Sequence, residues 1–97
     1  MRPERIGDNL QEIPEWTTES QDEAIVRTYH LLDAQEAVLF VNEVVAEAAK
    51  RDHTPAISLW DNQVKVRLTT PVADGLTDVD FELAKHFDQL AGGPLIV

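Results

Sequence analysis

Apolar residues recur along this chain at two periods, and the switches between them lay out its elements. In residues 1 to 15, Ile6, Leu10 and Ile13 fall at helical spacing among Glu4, Asp8, Glu12 and Glu15, which predicts a short amphipathic helix ending near Pro14. Trp16 to Glu19 is Thr-rich with an aromatic start and predicts a strand, followed by a turn over Ser20-Gln21-Asp22-Glu23. Ala24 to Leu31 predicts a second strand. Ile25, Arg27, Tyr29 and Leu31 share one face, and Val26, Thr28 and His30 share the other.

The period then changes to 3.6. Asp33 is a candidate N-cap with Glu36 three residues on, and Pro55 limits the helix that follows. At about 100° per residue, Ala37, Val38, Phe40, Val41, Val44, Val45 and Ala48 form one broad apolar arc, opposite Glu36, Glu43, Glu47 and Lys50. Leu39 and Ala46 lie on the polar side, where a single exposed leucine is ordinary. Ala56 to Trp60 predicts a strand, Asp61-Asn62-Gln63 a turn, and Val64 to Thr70 the clearest strand, its Val64, Val66, Leu68 and Thr70 alternating with Lys65, Arg67 and Thr69. Pro71 ends it. Thr77 with Asp80 opens a last helix whose stripe is Val79, Leu83, Phe87 and Leu90, and Gly92-Gly93-Pro94 stops it before an apolar Leu95-Ile96-Val97.

The order helix, strand, strand, helix, strand, strand, helix places hairpins on both sides of a central helix. That predicts an α+β fold, a two-layer domain with a four-stranded antiparallel sheet and three helices gathered on one face. At 97 residues the chain reads as one domain, residues 1–97.

Composition narrows the chemistry. No cysteine is present, which excludes disulfides, thiolate metal sites and cysteine nucleophiles. Eighteen acidic against eight basic residues give a net charge of −10, which argues against nucleic acid or an anionic membrane as partner. No apolar run reaches the roughly 20 residues of a membrane span, and the N-terminus lacks a signal-peptide pattern, so a cytoplasmic location is expected. Three histidines make a His-rich metal site improbable, and neither a metal nor a cofactor is expected.

From Trp16 through Asp80, about two thirds of the chain, the sequence resembles the pterin-4a-carbinolamine dehydratases. The likeness rests on Trp16 before the first strand, Asp52-His53-x-Pro55 after the central helix, Trp60 on the next strand, and Gly75-Leu76-Thr77-x-x-Asp80 opening the last helix. It implies the same fold and assembly into dimers or tetramers. It also implies a pocket at His53, Thr54, Trp60, Pro71 and Asp80, in which the family pattern differs from this chain: Thr54 and Pro71 stand where active members carry histidine, and Ala49 stands at the upstream acidic position. Dehydrating a carbinolamine takes a proton to the departing hydroxyl and another from the ring nitrogen, work suited to imidazole. Neither proline nor threonine exchanges protons near neutral pH. On that ground the expectation is a protein that is not an enzyme, its pocket vestigial and without catalytic residues, with His53 and Asp80 in structural roles.

Within the family, the missing histidines, the length and the acidic balance resemble the degenerate branch found with α-carboxysomes. That likeness implies a Rubisco assembly factor, a chaperone with the Rubisco large subunit as partner and an association with carboxysomes. The open sheet face, with Thr28, His30, Lys65, Arg67 and Thr69, is the candidate partner surface; a merely solvated face explains the same residues. The alternative is a weakly active or altered dehydratase using His53, Asp80 and a relocated acid, Asp52 or Asp74. A coactivator role like that of some animal members is less favoured. The strand Ala56, Ile57, Ser58, Leu59, Trp60 carries no charge to guard its edge, so a homodimer is expected there.

Overall fold

The computed structural model describes residues 3–19, 21, 23–70, 73 and 75–91, with side chains from Ile6 onward. The expectations placed on Ser20, Asp22, Pro71, Val72, Asp74 and residues 92–97 lie outside the described residues.

The elements are α1 (Pro3–Leu10), β1 (Thr17–Glu19), β2 (Ala24–His30), α2 (Ala34–Ala49), β3 (Ala56–Trp60), β4 (Gln63–Leu68) and α3 (Asp78–Leu90). The sheet is antiparallel throughout, in the order β1-β2-β4-β3. Its register explains both faces. Ile25 pairs with Leu68, Arg27 with Val66 and Tyr29 with Val64, so the apolar sets of β2 and β4 meet side by side under the helices. Thr28 opposite Lys65 and Val26 opposite Arg67 take the open face. Val64, Val66 and Leu68 are fully buried, each contributing about 1.5–3 kcal/mol over exposure.

Two expectations are corrected here. The first helix stops at Leu10, short of Pro14; Glu12 and Ile13 then bond back to Asn9 and Leu10 in tighter turns that carry Ile13 into the core. The apolar arc of α2 is also narrower than its wheel suggests. Ala37, Phe40, Val44 and Ala48 are buried, whereas Val38 and Val45 are about half exposed. Because β3 is an edge strand with no neighbour beyond it, nothing among the described residues covers that flank.

Local signals set the helix ends. Asp33 accepts a hydrogen bond from the Glu36 amide at 2.8 Å, as its N-cap position requires. At the other end the amides of Asp52 and His53 bond to the carbonyls of Ala49 and Ala48, and Asp52 takes a left-handed φ of 53°. That closing turn reverses the chain and fixes where His53 emerges.

A partly buried polar cluster ties Trp16, just before β1, to β2 and α3. Asp88 accepts from the Trp16 indole at 3.0 Å, the Arg27 guanidinium at 2.7 Å and the Tyr29 hydroxyl at 2.5 Å. Arg27 lies 4.4 Å from the centre of the Tyr29 ring. This accounts for a charged residue on the core face of β2, the position at which the strand's alternation is imperfect.

Candidate active site

The site forms where α2 ends, β4 ends and α3 begins. Asp80, in the first turn of α3, is fully buried. Its Oδ2 accepts from the Thr77 amide at 2.9 Å and the Thr70 hydroxyl at 2.7 Å, and its Oδ1 lies 2.9 Å from His53 Nε2. The Thr70 and Thr77 hydroxyls are 2.9 Å apart, so Thr70 donates to the carboxylate while accepting from Thr77. Each oxygen of Asp80 is occupied, and the helix N-terminus favours its charge.

This arrangement orients one imidazole. A carboxylate oxygen accepts, so His53 donates through Nε2 and its Nδ1 is left as the proton-exchanging atom. The His53 side chain is 10 % exposed, enough to reach solvent without swinging free. Beside it opens a cavity of about 210 Å³ lined by Val45, Ala49, Asp52, His53, Thr54 and Pro55.

The predicted pocket residues do not all converge. His53 and Asp80 are in contact, and Thr54 shares the cavity wall. Trp60 does not line it. It stands at the far end of β3, 79 % exposed, on the open face beside Ala56 and Ser58. The cavity at His53 and the exposed Trp60 ring are separate features of the described residues. Asp52, a candidate relocated acid, does line the cavity, while Pro71 and Asp74 are not among the described residues. Thr70 was missed by sequence reasoning, since its hydroxyl looked like the end of a strand alternation; its place seven positions before a capping Thr77 was the available signal.

On the open sheet face, Thr28, His30, Lys65 and Arg67 are brought together as expected. Their charge is largely spent inside the sheet. Arg67 Nε is 2.7 Å from Glu19, Lys65 is 3.9 Å from the same carboxylate, and the Thr69 hydroxyl donates to the Glu23 carbonyl at 2.6 Å. No helix among the described residues is long and apolar enough to cross a membrane, and no three His, Asp or Glu side chains among them are grouped to hold a metal ion.

The fold and this pair define a two-layer α+β protein whose pocket presents one oriented imidazole. The pterin 4 alpha carbinolamine dehydratase family model matches residues 1–90, and the chain belongs to that family. A Thermomicrobium roseum protein carrying the provisional name pterin-4-alpha-carbinolamine dehydratase is 43% identical over 89% of this chain and 90% of its own. A Picosynechococcus protein of the same provisional name is 44% identical over 88% and 90%. Among solved structures, a Brucella melitensis protein described as a transcriptional coactivator/pterin dehydratase superposes with a TM-score of 0.90 at 27% identity, covering 95% of this chain and 98% of its own.

These relatives overturn the expectation of a protein that is not an enzyme, because sequences this similar over nearly the whole chain are named as enzymes. That expectation weighed the residues absent at Thr54 and Pro71. It could not weigh the burial of Asp80 or the hydrogen bond that holds His53, which only folding creates.

Proposed function

We propose that this protein is a pterin-4a-carbinolamine dehydratase of altered acid–base chemistry, acting through His53. The observation that carries the reading is the His53–Asp80 pair at the wall of a cavity. A 4a-hydroxytetrahydropterin loses water when a proton reaches the departing hydroxyl and one leaves the ring nitrogen. Protonated His53 gives its Nδ1 proton to the hydroxyl and, once neutral, takes up the ring proton; Asp80 accepts from Nε2 and holds the ring in place. Thr54 can hydrogen-bond the substrate but moves no proton near neutral pH. At about 210 Å³ the cavity is smaller than the roughly 300–1,000 Å³ of a drug-sized ligand site, so it suits one edge of a flat ring system. In a coupled assay with 4a-hydroxytetrahydropterin, turnover is expected and His53→Ala should reduce it about 10²-fold or more with an unchanged circular-dichroism spectrum. Turnover that survives His53→Ala would reassign the acid–base role.

The relatives named above carry dehydratase and coactivator names, and those names do not speak to the Rubisco-assembly role, the Rubisco large subunit as partner or carboxysome association. The open face proposed for such a partner also offers little free positive charge, since Lys65 and Arg67 share Glu19.

Assembly into a homodimer through β3 is part of the same reading. The strand is an edge, carries no charge and leaves Leu59 46% exposed, and Val38 and Val45 of α2 are half exposed as well. Ser58→Lys should convert a dimer to monomer by light scattering; an intact dimer would move the interface elsewhere.

A further inference from the structure

We propose that the segment beyond α3 folds back as a strap, seating Leu95 and Val97 in an apolar groove of the same chain. The groove has a volume of about 500 Å³ and lies between the end of β2, the first half of α2 and the end of α3. It shares no residue with the cavity at His53. Leu31, Leu39, Phe40, Leu90 and Ala91 supply its apolar lining, and Leu32, 86% exposed, completes it. Leu39 is 55% exposed, so covering this groove removes apolar surface from water.

Chain length and composition select this occupant. Ala91 is itself part of the wall, and Gly92-Gly93-Pro94-Leu95-Ile96-Val97 continues directly from it. Extended, the four residues from Gly92 to Leu95 reach about 13–14 Å. Packed helices such as α2 and α3 have axes roughly 8–10 Å apart, so that reach carries Leu95 across from one to the other. Gly92 and Gly93 admit the positive φ of a reversal, and Pro94 brings no amide hydrogen to satisfy against an apolar wall. In an extended run alternate side chains share a face, so Leu95 and Val97 enter the groove together while Ile96 points outward. The polar lining is His30, Glu36 and Glu43, all exposed. No side chain from Gly92 to Val97 carries a charge, so the strap sets none against the imidazole or the two carboxylates and leaves all three in water. Tethering adds to the fit, because a segment attached at the wall is present at a roughly millimolar effective concentration that a free partner would have to exceed.

The test uses the full chain, whose lack of cysteine lets an introduced pair be followed without ambiguity. With Ile96→Cys and Leu32→Cys, mild oxidation should form a disulfide within one chain, at a rate independent of protein concentration. That rate should exceed the rate for Ile96→Cys with Glu15→Cys about tenfold or more. The Glu15 pair reports a loose segment, because Trp16 bonds to Asp88 three residues before Ala91 and so holds Glu15 near the end of α3. Adding Leu95→Asp should abolish the preference. Deleting residues 92–97 should raise Nile red fluorescence and lower the urea midpoint, with an unchanged circular-dichroism spectrum. Equal rates for the two pairs, a disulfide formed between chains, or a deletion that alters neither fluorescence nor midpoint overturns the proposal. His53→Ala should leave the disulfide preference as it is, so failure here and failure of the dehydratase reading are separable.

Discussion

Asp80→Ala should lower the free energy of unfolding by about 3–5 kcal/mol and abolish dehydratase turnover together. The side chain is fully buried and accepts from the Thr77 amide, the Thr70 hydroxyl and His53. Alanine removes the acceptor of all three donors at a buried position, and each buried donor left without a partner costs about 1–3 kcal/mol. It also removes the acid at the start of α3, where the helix dipole favours a negative charge. Urea unfolding measures the loss as a lower midpoint with an unchanged slope. Asp80→Asn separates the two effects. It fills the same volume and can still accept from two of the donors, so stability falls less, while His53 loses the carboxylate that accepts from its Nε2 and fixes its ring. A variant that stays folded yet loses turnover would identify Asp80 as the residue that positions His53; full turnover in Asp80→Asn would deny it.

Asp88→Ala should cost about 2–4 kcal/mol with no direct effect on the chemistry. One carboxylate serves the Trp16 indole just before β1 and the Arg27 guanidinium and Tyr29 hydroxyl on β2. Arg27 is a quarter exposed and can turn to water, so most of the cost falls on Trp16 and Tyr29, both nearly fully buried. The same cluster governs behaviour in alkali. Burial first, and then the hydrogen bond and charge of Asp88, push the Tyr29 hydroxyl far above its ordinary ionisation range, against a smaller opposing effect of Arg27. Its folded pKa therefore exceeds its unfolded value of about 10. The stability linked to this group is complete below about pH 10 and is lost as the pH rises toward the folded value. Unfolding followed between pH 9 and 11 should show that decline, and Tyr29→Phe should remove this contribution to it. An identical slope in Tyr29→Phe would assign the alkaline limit to another group.

Much of the fold was written in local pattern. The strict alternation from Val64 to Leu68, the cap at Asp33 and the Thr77–Asp80 start of α3 each depend on neighbours within a few residues, and each formed as the spacing predicts. The faces of β2 were legible too, including the anomaly at Arg27. Why a charge belongs there was not, because its partner Asp88 lies 61 residues away and is brought to it by α3 packing on the sheet.

The site divides along the same line. The sequence alone determined the two-layer architecture and the family likeness, and it placed His53 and Asp80 in one pocket but gave them structural roles. Tertiary structure decided how they are placed. Burial strips water from Asp80, packing brings Thr70 and His53 to its two oxygens, and the pairing of β3 carries Trp60 away to the far end of the strand. It also decided which apolar residues of α2 remain exposed, since a helical wheel records direction but not whether a neighbouring layer extends far enough to cover it. Patterning is a property of the local chain; desolvation and long-range contact exist only once the layers have closed, and the chemistry of this pocket rests on both.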